Sequence, residues 1–485
     1  MKINYCLPII KEKTTEILRI ISDNQNYDFF EIWLDYIKDL KIDFIENLEK
    51  QFGQKIIYLF RRKNLENPKM SFEKRKKIMD IISESSCFLD LDISQKQDLK
   101  YLKLKSKKIN LILSYHNYSQ TPDNEKLKKI VKSMNQHKPE IYKISALCKS
   151  DNDAMRLIDL LTKLKEQKIK CIILGMGAKG VITRIAGAIL EQEINYAPLT
   201  PNNKSADGQL TKAQLEKILK NVRICYFMAD PVEHSLSPQM HEAGYKELGI
   251  EKDFIFFRHL VKSKDLKKFI EDVKKNPYFR GASISIPHKI EIIKYLDKID
   301  AVAQKIGAVN TIVNEKGILT GYNTDVIGAR TALEKKTNIK NKLVAIIGAG
   351  GAARAIVYGL FKKGARIKIF NRSLEKAKKL AEEFGCKYGN LNSLEEISKM
   401  DIIINATPVG MNEDKSPIDK KLINKDHLVF DAVYTPYQTR LIKDAKQKGA
   451  RVILGREMLL YQGTAQFELF TNRKAPIEAM RKALI

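Results

Sequence analysis

Residues 342–354, KLVAIIGAGGAAR, limit the possible folds of this chain more than any other stretch. Leu343 to Ile347 form a short apolar run rich in β-branched side chains, which suits a strand buried on both faces. Gly348-Ala349-Gly350-Gly351 follows as a turn without side-chain bulk, and Ala352 to Phe361 continues small and then apolar, as a helix does. A dinucleotide site needs this order, because a pyrophosphate must approach bare backbone N–H groups at a helix N-terminus. Gly348, Gly350, Gly351 and Ala352 are the expected contacts. The next predicted strand, 365–370, ends at the place where an NAD-binding fold carries Asp or Glu for the ribose 2′-hydroxyl. Here the chain reads Asn371-Arg372-Ser373, with Lys376 close behind. An acidic side chain repels a 2′-phosphate, whereas a guanidinium clamps it through two hydrogen bonds. The alternative is a solvated arginine on a basic surface. NADP(H) is the expected cofactor rather than NAD(H).

The chain has 485 residues, too many for one ordinary core, so at least two domains are expected. The six cysteines are scattered without paired spacing, which argues for reduced thiols in a cytoplasmic protein and against a disulfide or metal framework. No apolar run reaches membrane-spanning length, and the N-terminal one is too short for a signal peptide. The formal net charge of +28 raises the question of nucleic acid. The lysines, however, are spread over predicted helix faces, and no basic block is interleaved with stacking aromatics. A nucleic-acid partner is therefore not expected; the charge helps to attract anionic small molecules.

Residues 1–220 alternate short apolar runs (near 3–9, 28–34, 55–61, 86–92, 108–114, 139–145, 168–174 and 193–197) with helical patterns. Eight strand-then-helix units of this size predict an α/β fold, a compact (β/α)₈ TIM barrel with its active site at the strand C-terminal ends. Several polar side chains fall there. Strand alternation puts Phe29, Glu31 and Trp33 on one face, Arg61 in phase with Leu59, His116 at the end of an apolar strand, and Lys143 between Ile141 and Ser145. A lysine inside an apolar strand either snorkels to solvent or lies in a lined pocket. In the second case desolvation favours the neutral amine, which attacks carbonyls. His116 taken alone reads equally as a structural histidine.

Together these residues resemble type I 3-dehydroquinate dehydratase over essentially the whole first 220 residues. The matching pieces are Glu31, Phe60-Arg61, Ser114-Tyr115-His116, Ile141-Tyr142-Lys143-Ile144, Gly180-Val181-Ile182-Thr183-Arg184 and Gly208-Gln209. The resemblance implies that Lys143 forms a Schiff base with the substrate ketone and that His116 is the general acid and base. It also implies that Arg184 holds the substrate carboxylate, while Glu31, Arg61 and Gln209 bind hydroxyls or position the histidine. Trp33 stands where the family usually has Arg, and the family's acidic residue after the Phe-Arg pair has only Glu66 as a candidate. An indole does not supply five N–H donors. A second reading is therefore a monofunctional shikimate or quinate dehydrogenase with an impaired barrel.

The run 198–222 carries a proline and asparagine cluster and then a last helix, and a new strand opens at Arg223. Beyond it come Ser235-Leu236-Ser237-Pro238, Gly281 to Lys289 (GASISIPHK), Gly307 to Thr311 (GAVNT) and Gly321 to Asp325 (GYNTD). Each fragment alone reads as a capped helix or a turn. In this order, with the glycine loop behind them, they resemble shikimate dehydrogenase over residues 223–485. The resemblance implies that Ser235 and Ser237 bind the substrate carboxylate and that Lys289 and Asp325 form the catalytic pair, with Asn310 and Asn323 nearby. Ser283 and Ser285 replace the family's usual Asn and Thr, and Ser285 keeps a hydroxyl for substrate. Thr407 falls in the loop flanking the nicotinamide half, Gly455 at a later strand end, and Tyr434 is an expected substrate contact. Gln462 and Gln466, spaced i, i+4, share one helix face and reach toward ring hydroxyls. The expected boundaries are 1–220 for the barrel, 221–325 for a substrate-binding part, 326–460 for a Rossmann NADP-binding part and 461–485 for helices returning to the substrate part. The expected activity is dehydration of 3-dehydroquinate to 3-dehydroshikimate, followed by its reduction to shikimate with NADPH.

Overall fold

The computed structural model describes residues 3–60, 70–83, 85–104, 109–232 and 235–485; Arg61 and Glu66 lie outside the described residues. The chain divides into two compact units, residues 1–221 and 222–485.

Among the described residues of the first unit, eight parallel strands alternate with eight helices. The strands are β1 (Tyr5–Ile9), β2 (Phe29–Trp33), β3 (Ile56–Leu59), β4 (Phe88–Asp92), β5 (Asn110–Asn117), β6 (Ile141–Leu147), β7 (Cys171–Met176) and β8 (Asn195–Tyr196). The helices are α1 (Thr14–Asp23), α2 (Ile42–Phe52), α3 (Phe72–Ile82), α4 (Lys96–Leu104), α5 (Asn124–Asn135), α6 (Asp151–Glu166), α7 (Val181–Ile189) and α8 (Lys212–Asn221). Helix starts follow side-chain chemistry: Asp123 caps α5, and Ser150 with Asp153 forms a capping box on α6. From β1 to β7 each strand pairs with the next, and β8 pairs back onto β1, so that the order β7-β6-β5-β4-β3-β2-β1-β8 makes a nearly closed (β/α)₈ barrel whose ends are β7 and β8. Parallel partners point to the same side, so the ladder carries one inward face round the barrel. Its lower part is apolar, with Cys6, Ile57, Ile112 and Ile172 in one cluster.

The second unit holds two six-stranded sheets. The first is built from β9 (Arg223–Ala229), β10 (Phe254–Leu260), β11 (Phe279–Ile284), β12 (Lys298–Ile299), β13 (Thr311–Glu315) and β14 (Ile318–Tyr322), with helices α9 (Ser237–Glu247), α10 (Leu266–Lys275) and α11 (Ala301–Ile306). Its order is β10-β9-β11-β13-β14-β12, and β13 runs antiparallel to both neighbours. Helix α12 (Asp325–Glu334) leads to the second sheet: β15 (Leu343–Ile347), α13 (Gly351–Phe361), β16 (Arg366–Asn371), α14 (Leu374–Phe384), β17 (Lys387–Asn390), β18 (Ile402–Asn405), β19 (Leu428–Asp431), α15 (Arg440–Gln447) and β20 (Arg451–Ile453). This sheet is wholly parallel in the order β17-β16-β15-β18-β19-β20, which is the doubly wound 3-2-1-4-5-6 arrangement of a Rossmann fold. Helix α16 (Gly455–Thr471) returns to pack against α12 and α9, and α17 (Ile477–Lys482) packs against α9. All six cysteines are free thiols, and among the described residues no helix is long and apolar enough to cross a membrane.

Candidate active sites

Inside the barrel, Lys143 on β6 points inward and is almost fully buried. Its Nζ donates to Glu31 Oε1 on β2 at 2.9 Å, to Asp90 Oδ2 on β4 at 2.6 Å and to the Tyr196 hydroxyl on β8 at 2.8 Å. Four side chains from alternate strands thus form one layer of the barrel interior, the packing rule of this fold. The lysine does not snorkel. Nor does burial act on its charge alone: two carboxylates within hydrogen-bonding distance favour the ammonium, against the desolvation that favours the neutral amine. Trp33 closes the set, because its indole Nε1 donates to Glu31 Oε2 at 3.0 Å and fixes the orientation of that carboxylate.

His116 lies on β5 beside β6, and the register pairs Ser114 with Lys143 and His116 with Ser145. The imidazole therefore shares the inward face and sits two residues nearer the mouth, about 7 Å along the strand. Its Nδ1 is 3.0 Å from Asp92 Oδ2. Burial pushes the Asp92 carboxyl up, but hydrogen bonding and charge from His116, with bonds from Ser94, outweigh it and hold the carboxyl below its usual range. An ionised Asp92 keeps the proton on Nδ1 and leaves Nε2 as the basic nitrogen. Asp90 and Asp92 are not among the expected site residues. The alternation Phe88-Leu89-Asp90-Leu91-Asp92 is the signal that finds them, since it sets both acids in phase with an inward phenylalanine.

Arg184, near the start of α7, is buried, and its Nε and Nη1 find no hydrogen-bond partner among the described residues. Burial pushes its guanidinium down to about 10, so it remains charged at neutral pH. Each unsatisfied buried donor costs about 1–3 kcal/mol, a penalty that an anion placed against the fork removes. Gln209 follows Gly208, whose φ of +83° and close approach to the Gly177 carbonyl exclude a side chain. Its amide bonds Ser205 within its own loop.

In the second unit Lys289 Nζ is 2.5 Å from Asp325 Oδ2. Asp325 is the first residue of α12, where the helix dipole favours a carboxylate. Its other oxygen accepts from Asn310 Nδ2 at 2.9 Å. Asn310 also bonds Thr324 and Gln462, and Asn323 braces the turn through the Ala308 carbonyl and the Asp325 N–H. Thr324, unexpected from the sequence, ties this network together by donating its backbone N–H to Asn310 Oδ1. Gln466 is fully buried behind it and bonds Ser283, Thr311 and the Asn310 carbonyl. Ser235 and Ser237 are buried at the entry to α9, where the Ser237 N–H bonds Ser235 Oγ. Burial pushes the Tyr434 hydroxyl up, opposed by its hydrogen bond to Ser235 and by the Arg258 charge, so Tyr434 reaches the first of these serines. Ser285, half-buried, follows the last residue of β11, four residues before Lys289.

The glycine loop fits a dinucleotide. Gly348 has φ +119°, and a Cβ there would meet the Ala406 carbonyl at 2.9 Å. A Cβ on Gly350 would meet nothing within 4 Å, which leaves open space over the start of α13, a helix whose first N–H groups have no side-chain cap. A Cβ on Gly351 would lie 3.2 Å from the Lys289 stem, so the loop and the Lys289–Asp325 pair adjoin. Ala352 follows in the first turn of α13. Asn371 ends β16 with its amide on the Ser373 carbonyl, and Arg372 and Lys376 are exposed, with no ion pair among the described residues. Thr407 is fixed by Asn405, and Gly455 packs on the backbone of Val433, where a Cβ would lie 2.3 Å from the carbonyl oxygen.

Buried titrating groups give this unit a defined response to acid. His241 stacks on Phe256 with centroids 4.4 Å apart, and burial pushes its imidazole down to about 3. Burial likewise pushes His259, between Tyr226 and Phe269, down to about 4. Both titrate near 6.5 when unfolded, so the stability tied to their neutral forms is complete above that pH and is lost as pH falls toward 4. Asp431 opposes them: burial raises its carboxyl to about 6, so taking up a proton on the same descent is stabilising. From pH 7 to 5 the histidines lose together about 4 kcal/mol and Asp431 returns about 1, a net loss of about 2–3 kcal/mol. Denaturant melts at the two pH values measure it. His241→Phe, which keeps the stack, is expected to remove about half of the histidine contribution; an unchanged pH slope contradicts the assignment.

Fold and sites together define a barrel enzyme built round an interior lysine, joined to a dinucleotide-dependent oxidoreductase. Residues 5–224 match the family model described as type I 3-dehydroquinase. Residues 227–312 match the shikimate dehydrogenase substrate binding domain, 330–422 shikimate/quinate 5-dehydrogenase, and 455–485 the shikimate 5′-dehydrogenase C-terminal domain. The chloroplastic bifunctional 3-dehydroquinate dehydratase/shikimate dehydrogenase of Arabidopsis thaliana is 31% identical over 98% of this chain and 83% of its own length. The shikimate dehydrogenase (NADP(+)) of Nitrosopumilus maritimus is 43% identical over 53% of this chain and 96% of its own. The crystal structure of shikimate 5-dehydrogenase from Thermus thermophilus with NADP(H) and shikimate superposes with a TM-score of 0.51, at 34% identity, over 54% of this chain and 98% of that one. The chain belongs to the bifunctional 3-dehydroquinate dehydratase/shikimate dehydrogenase family.

Proposed function

We propose that the barrel dehydrates 3-dehydroquinate to 3-dehydroshikimate through an imine on Lys143, and that the second unit reduces this ketone to shikimate with NADPH. The observation that carries the reading is the interior lysine held by two carboxylates, on the same chain as the Lys289–Asp325 pair beside a dinucleotide loop. In the barrel the ammonium gives a proton to Glu31 or Asp90, and the amine adds to the substrate ketone. Loss of water leaves a protonated imine, an electron sink that acidifies the neighbouring C–H. His116, with Nδ1 held by Asp92, removes that proton through Nε2 and returns it to the departing hydroxyl; such a group typically contributes about 10²–10⁴-fold. Arg184 pairs with the substrate carboxylate, and Gln209 adds a further substrate contact.

In the second unit Ser235, Ser237 and Tyr434 hold the carboxylate of the substrate, and Asn310, Asn323, Gln462 and Ser285 face its ring, with Gln466 bracing them from behind. Lys289, paired with Asp325, donates to the ketone oxygen as it becomes a hydroxyl. NADPH, when bound, supplies the hydride. Residues 348–352 receive its pyrophosphate, Asn371, Arg372, Ser373 and Lys376 its 2′-phosphate, and Thr407 and Gly455 flank the nicotinamide end. The second reading, an impaired barrel, draws on Trp33. The indole N–H on Glu31 weighs against it, because the carboxylate that faces Lys143 is held in place. The chain given 3-dehydroquinate without NADPH should develop the conjugated enone absorbance, and added NADPH should then be consumed in equal amount. Shikimate oxidation without any enone signal establishes the impaired barrel instead.

A further inference from the structure

The bonding set round Lys143 contains one member that no step above uses. Glu31 and Asp90, when ionised, only accept hydrogen bonds; the Tyr196 hydroxyl both accepts and donates. It accepts from Lys143 Nζ at 2.8 Å and also bonds Glu31. The ring lies beside the same nitrogen, with Nζ 4.3 Å from its centroid, close enough for a cation–π contact. Tyr196 is buried on β8 in register with Cys6 on β1, and burial pushes its hydroxyl well above the usual range, so it carries its proton throughout the working pH. The charged and titratable groups facing the nitrogen are Glu31 from β2, Asp90 from β4, Tyr196 from β8 and Cys6 from β1.

We propose that the Tyr196 hydroxyl is a further catalytic group of the barrel reaction, the donor to the ketone oxygen while Lys143 forms and later hydrolyses its imine. The inference rests on the imine assignment made above. When the nitrogen attacks, the carbonyl electron pair moves to an oxygen two bonds from Nζ, and the donor already beside Nζ is Tyr196. Glu31 takes the proton that the ammonium gives up. Tyr196 passes its own proton to the carbinolamine oxygen and is refilled from Glu31 across their hydrogen bond. The nitrogen then gives a second proton to Glu31, Tyr196 relays it to the same oxygen, and that oxygen leaves as water as the carbon–nitrogen double bond forms. Ketone and ammonium become iminium and water, with no outside acid, base or oxidant. Hydrolysis of the product imine runs the same steps in reverse.

Tyr196→Phe keeps the ring and removes only the donor. The full chain is mixed with 3-dehydroquinate and quenched with borohydride at increasing times, and adduct on the Lys143 peptide is quantified by mass. The expected result is a rate of adduct formation about 10²–10³-fold slower than wild type, the effect of losing one oxyanion donor. Uptake of ¹⁸O from labelled water into the ketone should slow by the same factor. A variant that melts at the wild-type temperature and forms adduct at the wild-type rate overturns the proposal. So does a lower melting temperature with unchanged adduct and exchange rates, which is a packing role only. If wild type itself gives no adduct on Lys143, the imine reading fails, whatever Tyr196 does.

Discussion

Replacing Lys143 by Ala is expected to lower dehydration of 3-dehydroquinate at least about 10⁴-fold, while shikimate oxidation by the same molecules keeps its wild-type rate. Among the described residues no other amine joins the layer of Glu31, Asp90 and Tyr196, so no second nucleophile is in reach of the same ketone. The substitution also leaves two buried carboxylates facing one another, and removing one partner of a buried pair costs about 3–5 kcal/mol. One carboxylate then has to bind a proton, so the loss of stability grows as pH rises. Lys143→Arg separates the two effects: it keeps a cation between the acids, but a guanidinium forms no imine with a ketone. Both variants inactive for dehydration, with Arg the more stable, is the expected pattern. Steady-state assays of each half-reaction and thermal melts of both variants check it, and dehydration surviving in either one removes the imine from the account.

Lys289→Ala is expected to depress reduction of 3-dehydroshikimate about 10³-fold and to leave the barrel reaction untouched. The loss is placed at the transition state, because the Lys289 ammonium bonds the substrate oxygen most strongly as charge develops on it. It should therefore appear in kcat rather than in KM for NADPH. Asp325 keeps its bond from Asn310 and its place in the first turn of α12 after the substitution, so the fold should tolerate the change. Separate assays with 3-dehydroshikimate and with 3-dehydroquinate measure both halves in one preparation. Reduction at the wild-type rate excludes Lys289 as the donor.

Much of this architecture can be read from the residues because the signals are local. Eight apolar runs near 3–9, 28–34, 55–61, 86–92, 108–114, 139–145, 168–174 and 193–197 each contain or overlap a barrel strand, and the Ile347-Gly348 junction does turn into a nucleotide-type loop. The charge on Lys143 is not legible in this way. Hydrophobic neighbours in sequence argue for a neutral amine, whereas its partners lie 112 and 53 residues away, and only barrel closure delivers two carboxylates to it. Trp33 shows the same limit from the other side. As a residue type an indole is a poor replacement for a guanidinium, yet its single N–H is spent on orienting Glu31, a contact between residues two apart on one strand face. Asp92 escapes any reading that takes β4 for a plain apolar run; its hydrogen bond to His116 makes it part of the site. In the second unit, the resemblance to shikimate dehydrogenase puts Lys289 and Asp325 together, as the structure does, but does not show Gln466 bonding inward to Ser283 and Thr311.

The central claim is covalent, and borohydride tests it directly. Wild-type chain incubated with 3-dehydroquinate, reduced and digested, should carry a single stable adduct on the peptide containing Lys143, with dehydratase activity lost in proportion and dehydrogenase activity retained. An unmodified Lys143 peptide after complete turnover, or an adduct mapped to another lysine, would contradict it.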